Sequence, residues 1–184
     1  MMEIEEQPES SRRREPLKVQ IVNSYSAADR NGLAGGEKDP SETSVYRLEW
    51  RPTEKHVLVV AGGRTVCHVG LVGQTVEVQG NPISIAGIGG VLTRHRSRGR
   101  GYCRIAMEAA EAIALSQMAV DFILLFSSPA KQRLYEHLGW RKVSSPVWVE
   151  QVQGDILLPI VSMVKCLGAK PWPEGEVRLG SRPW

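Results

Sequence analysis

Between Arg94 and Arg104 the chain reads Arg94-His95-Arg96-Ser97-Arg98-Gly99-Arg100-Gly101-Tyr102-Cys103-Arg104, basic side chains interleaved with glycine. Residues of these types at this spacing suit the holding of a polyanion. Gly99 and Gly101 lack a Cβ, so the backbone can turn sharply and phosphate oxygens can come close to its amides. Arg96, Arg98 and Arg100 add fixed charge and forked donors around the same spot. Directly afterwards Ile105, Ala109 and Ile113 recur every four residues with Ala106, Ala110 and Ala114 beside them, an apolar face at helical period. The basic loop therefore sits at a helix start, where unpaired N–H groups and about half a positive charge from the macrodipole favour an anion. Phosphate is the expected guest.

The elements that must position this loop can be read outward from it. Ile83 to Leu92 reads as a strand whose interior glycines let another backbone or a ligand approach. Val120 to Phe126 is a nearly continuous apolar run, as expected of a strand buried on both faces and parallel to the first. A strand, a helix and a parallel strand form a right-handed crossover with its ligand site beyond the strands' carboxyl ends, where the glycine loop also falls. Upstream, Leu17 to Ile21, Val57 to Val60, Thr65 to Val72 and Thr75 to Gln79 read as strands, with turns at Gly62-Gly63 and Gly80-Asn81-Pro82. Ser26 to Leu33 reads as a short helix, and Gly35 to Thr43 as an exposed loop able to lie over a cleft. Ser128-Pro129 opens a further helix with Leu134 and Leu138 on one face and Gly139 as its stop. Val147 to Val152 and Ile156 to Val164 continue the sheet, the first as an exposed edge offering a homodimer contact. The stretch from Pro171 to Trp184 is too proline-rich for a helix and too aromatic for a loose tail, so it should pack on the body.

At 184 residues and 42% hydrophobic content the chain suits one domain with a sizeable core, over residues 17–184, behind a charged tail over residues 1–16. The balance of 23 Lys plus Arg against 20 Asp plus Glu is close to even, so bulk charge does not announce a nucleic-acid partner. Cys67, Cys103 and Cys166 have no metal-ligand spacing and cannot all pair, so no metal site is expected and a reducing cytoplasm fits. No apolar run approaches the roughly 20 residues that span a bilayer.

The spacing Arg96-x-x-Gly99-x-Gly101, placed between a predicted strand and a predicted helix, resembles the Arg/Gln-x-x-Gly-x-Gly/Ala signature of the GNAT superfamily of N-acetyltransferases. The segment from Ser128 to Trp140 is similar to a second motif of that family, with Tyr135, Gly139 and Trp140 in register, Ser128 where Asn is usual and Lys131 where Ala is usual. The resemblance implies a single α/β domain with a mixed, mostly antiparallel sheet of six or seven strands and helices on both faces. It implies acetyl-CoA as co-substrate, its pyrophosphate held by Arg96, Arg98, Gly99, Arg100, Gly101 and Tyr102, its pantetheine along Val91, Leu92 and Thr93, and a further contact at Ser128. A looser likeness, over about residues 55 to 184, is to the aminoglycoside 2'-N-acetyltransferases.

Acetyl transfer to an amine needs a proton acceptor for the amine, donors for the carbonyl oxygen and a proton for the departing thiolate. The resemblance puts Tyr135 near the thiolate as acid. Gly89 stands where the aminoglycoside enzymes carry a Glu, which leaves the base open. His68 titrates near neutrality and could serve, although a lone strand histidine is more often structural. Glu174, Glu176 and the end of the chain at Trp184 could receive a cationic small-molecule acceptor or relay its proton. Two other readings stand beside this one: an acyl-CoA-binding sensor or scaffold without turnover, and an RNA-binding loop in which Tyr102 stacks on a base.

Overall fold

The computed structural model describes residues 16–184. The charged tail expected over residues 1–16 lies, up to residue 15, outside the described residues. The elements follow in the order β1 (Leu17–Val22), α1 (Ala27–Ala34), β2 (Lys55–Ala61), β3 (Arg64–Val78), β4 (Asn81–Thr93), α2 (Tyr102–Gln117), β5 (Phe122–Ser127), α3 (Gln132–His137), β6 (Arg141–Lys142), β7 (Val147–Gln151), β8 (Gly154–Leu157), β9 (Val161–Cys166) and β10 (Val177–Arg178). Among the described residues all ten strands join one sheet, in which β4–β5 and β7–β10 are parallel and the other pairings antiparallel.

Ten strands exceed the six or seven expected, for two physical reasons. The run from Ile156 to Val164 is broken at Pro159, which lacks the N–H a ladder needs, and so becomes β8 and β9. The two-residue strands β6 and β10 carry no periodicity that a sequence could show. In the other direction, β3 runs unbroken for 15 residues where two strands were expected. The expected free edge at Val147 to Val152 is also corrected, because β7 lies between β10 and β8, and the edge falls to β8 with Leu157 53% exposed.

Strand alternation sends side chains to two faces. On β5, Ile123 and Leu125 join the cluster that packs under α2, while Phe122 and Leu124 join a second cluster on the other face. Helix α2 buries Ala106, Met107, Ala110, Ile113 and Ala114, and its small alanines let it lie close on β2, β3 and β4. Tyr135 and Trp140 join the same cluster from α3 and the turn after it, rings 6.3 Å apart. The helix expected from Ser128 is a 3-10 turn (Pro129–Lys131) followed by α3. Its buried side is carried by Tyr135 and Leu138, with Leu134 turned out at 44% exposure, because the 3-10 turn shifts the helical phase.

On the opposite face lie α1 and the end of the chain. A capping box starts α1: the Ser26 hydroxyl accepts from the Asp29 amide at 3.1 Å and the Asp29 carboxylate accepts from the Ser26 amide at 3.2 Å. From residue 171 onward the chain packs as its composition suggested. Trp172 sits edge-on to Phe122 at 5.3 Å, Leu179 is fully buried, and the Trp184 ring lies 5.0 Å from Phe126. The Trp184 indole fills the place where a side chain on Gly87 would be, so glycine at 87 is a packing requirement.

That close approach predicts a coupled pair. Gly87→Ala should lower stability by about 1–3 kcal/mol through overpacking, and Trp184→Ala by about 3–5 kcal/mol through cavity formation. The double variant should lose clearly less than the sum, since removing the indole clears the space the new methyl needs. Denaturant melts of the four proteins measure this, and strict additivity would show that the two residues do not meet.

Candidate active site

The loop before α2 is built for an anion. A 3-10 turn (His95–Ser97) leads into Arg98, and Gly99 (φ 74°) and Gly101 (φ 82°) both take the left-handed conformation that side chains disfavour. Among the described residues nothing lies within 4 Å of where a Cβ would stand on either glycine. Gly101 occupies the N-cap position of α2 and makes no side-chain cap bond, leaving the first amides of this 16-residue helix turned outward. Arg96, Arg98 and Arg100 are exposed around it. Arg98 pairs with Glu37 and donates from Nε to the Thr93 carbonyl at 3.2 Å. Tyr102, half-buried, packs partly against the core beside Cys103.

Beside the loop the sheet opens. Strands β4 and β5 pair over only three residue couples, Ala86 with Ile123, Gly87 with Leu124 and Ile88 with Leu125. Beyond them β4 runs on to Thr93 beside β3, and β5 runs on to Ser127 beside β9. The backbone of Gly89 to Thr93 therefore has no ladder partner on the β5 side, which leaves main-chain groups of alternate residues there, Val91 among them, available to a guest, while Leu92 pairs with His68 and the Thr93 carbonyl accepts from Arg98. A cavity of about 790 Å³ occupies this opening. Its walls come from β4 (Ile88 to Leu92), β5 (Leu125 to Ser127), Tyr135, Trp184, the start of α1 and the segment from Glu37 to Thr43, so the expected lid loop does lie over a cleft.

Tyr135 is 6% exposed and lines the cavity. Burial, with the Cys103 and Cys67 thiols nearby, raises its phenol well above the usual value, so it holds its proton. Ser128 is buried at the start of the 3-10 turn ahead of α3, does not line the cavity, and among the described residues its hydroxyl has no hydrogen-bond partner. Trp184 is 4% exposed and lines the cavity as a wall, its indole over Gly87 and its main-chain carbonyl against Gly89. Glu174 and Glu176 do not line it. Glu176 accepts from the Trp148 indole at 2.9 Å and pairs with Arg178 at 2.8 Å, held on the β7–β10 side of the sheet by the path of the last strand.

His68 lies in the cavity wall, 1% exposed, and it is not alone. Its Nδ1 is 2.7 Å from the Gly90 carbonyl, its Nε2 is 3.0 Å from Nδ1 of His56, and Tyr25 stacks on its ring at 4.4 Å. Burial, with Arg30 and His56 nearby, lowers its pKa to about 4. His56, Tyr25 and Arg30 are wall residues that sequence reading missed. A two-residue hairpin at Gly62-Gly63 would put His56 and His68 on opposite faces. The register shift between Val59 and Val60 inserts one residue and turns them to the same one.

Because His68 is held neutral in the fold but protonates near 6.5 when unfolded, its contribution to stability is complete above pH 6.5. It should be lost as pH falls towards 4, to the extent of about 3 kcal/mol. Urea melts from pH 7 to pH 4 should show this loss, and His68→Gln should flatten it. An equal pH dependence in the variant would remove His68 as its cause.

Over residues 30–143, more than half of the 184-residue chain, the sequence matches the profile of the acetyltransferase (GNAT) domain. The fold is similar to that of YhbS, a GNAT family N-acetyltransferase of Escherichia coli solved with CoA. There the TM-score is 0.56 and the identity 14%, over 90% of this chain and 89% of that one. An aminoglycoside 6'-N-acetyltransferase solved with coenzyme A superposes with a TM-score of 0.55 at 12% identity, over 84% of this chain and 99% of its own. An acyl-CoA N-acyltransferase of Pseudomonas aeruginosa gives 0.53 at 17% identity, over 82% and 100%. No curated protein matches the sequence significantly. At such identities the structural likeness speaks for the fold, and the sequence profile speaks for the family: the chain belongs to the GNAT acetyltransferases.

Proposed function

We propose that the protein transfers an acetyl group from acetyl-CoA to the primary amine of a small molecule, by direct attack within a ternary complex. The observation that carries this reading is the early parting of β4 from β5, which leaves one edge of β4 without a strand partner from Gly89 to Thr93. An open glycine loop at the start of α2 lies at one end and a cavity walled by Tyr135 and the two histidines at the other. Coenzyme A bound in two neighbours of the same fold supports the co-substrate.

The residues present fit such a guest. The amides of Gly99, Gly101 and Tyr102, with Arg96, Arg98 and Arg100, would hold the pyrophosphate. The free edge of β4 over Val91 to Thr93 would hydrogen-bond the pantetheine. Acetyl-CoA supplies an activated thioester. An amide N–H of β4 near Leu92 would polarise its carbonyl, and Tyr135, kept protonated by burial, would protonate the departing thiolate.

Among the described residues the cavity wall carries Arg30, Lys38, Arg51 and Lys131 against two acidic side chains, Glu37 and Asp39, with Arg51 paired to Glu54 and Lys131 to Glu42. Glu37 faces Arg98, and Asp39 accepts from the Ser41 hydroxyl and the Ser44 amide. This balance favours an acceptor with a single basic nitrogen over a polycation such as an aminoglycoside. The three free cysteines suit work in a reducing compartment such as the cytoplasm.

Calorimetry with acetyl-CoA tests the loop. Gly99→Val with Gly101→Val should weaken binding at least tenfold while the fold, read by circular dichroism, persists; unchanged affinity would place the cofactor elsewhere. Tyr135→Phe should lower kcat by about 10²-fold with little change in the KM for acetyl-CoA, as expected of an acid acting on the leaving group. Acetyl-CoA binding without turnover of any primary amine would identify a binder instead of an enzyme.

A further inference from the structure

The tautomers of the histidine pair are fixed by its partners. The Gly90 carbonyl can only accept, so His68 must carry its proton on Nδ1 and donate it over 2.7 Å. A neutral His68 then presents a lone pair at Nε2. His56 must meet that lone pair with a proton on its own Nδ1, at 3.0 Å. The remaining nitrogen of His56, Nε2, is left as a lone pair on a residue of the cavity wall. We propose that His56 is the catalytic base, its Nε2 taking the proton released by the acceptor amine, and that His68 is the positioning residue that holds it in the competent tautomer. This rests on the acetyl-transfer reading given above.

The anchor of the pair is the reaction strand itself. The β3–β4 ladder shifts register between His68 and Gly70, opposite Gly90 and Val91, and the Gly90 carbonyl set free there is the one His68 binds. The pair is thus tied to the strand edge where the thioester is expected. In the step, the amine nitrogen bonds to the acetyl carbon and the carbon–sulfur bond breaks. One N–H proton passes to His56 Nε2, and the Tyr135 phenol proton passes to the sulfur. Return of the His56 proton to Tyr135 through solvent restores both groups.

The surroundings suit this role. Tyr25, from the segment leading into α1, stacks on His68 with rings inclined by 14°, and Arg30 of α1 is the charged neighbour of both imidazoles. Thr53 and Gly90 are the uncharged partners. Burial and Arg30 lower the His56 pKa as they do that of His68, so the pair rests neutral and ready to accept at pH 7. Once His56 takes a proton at Nε2, its Nδ1 proton can move onto His68. The cation is then shared between two rings, and the Tyr25 face attracts it.

Two measurements test the proposal. In protein labelled with 15N-histidine, both imidazoles should show a protonated Nδ1 and a bare Nε2 at pH 7; a protonated Nε2 on His56 would overturn it. In kinetics, a panel of ethanolamine, putrescine, lysine and kanamycin is offered with acetyl-CoA. For any amine turned over, wild-type kcat/KM should fall along an acid limb below pH 6.5 that belongs to the pair. His56→Gln should lose about 10²-fold in kcat/KM and the limb with it, while acetyl-CoA affinity stays within twofold. Added imidazole should restore activity to His56→Ala. His68→Phe should shift the limb, as the loss of a positioning group does. Wild-type turnover with His56→Gln within twofold of it overturns the base alone. No turnover of any amine by wild-type protein overturns the acetyl-transfer reading and the base together.

Discussion

The early end of the β4–β5 pairing is the constraint on which the rest of this structure depends. Parallel neighbours normally exchange hydrogen bonds along their shared length, yet here three couples are made and then the strands part. Every backbone group beyond that point needs another partner, because a buried amide without one costs about 1–3 kcal/mol. β3 and β9 take the outer edges of the two strands, and the inner edges face the cavity. A site that presents a row of main-chain donors and acceptors is well matched to an extended, amide-bearing ligand.

Packing holds the opening in place on both faces. On one, α2 lies low on the sheet through its alanines, which puts its N-terminus and the glycine loop just beyond the end of β4. On the other, the Trp184 indole sits over Gly87 and against Phe126, bridging β4 and β5 where they begin to separate. The last residues of the chain thereby become part of the cavity wall, although they are remote in sequence from everything else there.

The electrostatics of the wall follow from burial. Desolvation holds the Tyr135 phenol protonated and the His68 imidazole neutral, so proton donor and proton acceptors coexist in one cavity at neutral pH without charge on either. The charged groups at the rim are largely occupied with one another: Arg98 with Glu37, Arg51 with Glu54, Lys131 with Glu42 and the Pro40 carbonyl. Exposed pairs of this kind contribute little to stability. Those made by Glu37, Lys131 and Glu42 tie the segment over the cleft to the loop before α2 and to the approach to α3.

What depends on local pattern was legible in the chain alone. The strand, basic glycine turn and alanine-rich helix from Ile83 to Ser116, the buried parallel strand after it, and the packing of the proline- and tryptophan-rich end all follow from periodicity and turn chemistry, which act over a few residues. Tertiary structure decided what depends on register and on distant adjacency. One extra residue in β3 turned His68 towards His56, because strand side chains alternate with a period of two and a single insertion reverses the face. A two-residue strand, β10, made β7 an interior strand and carried Glu176 to Trp148 and Arg178, away from the cavity. Neither leaves a periodic trace in the sequence, since each is set by which backbone groups are left to be paired once the whole sheet has formed.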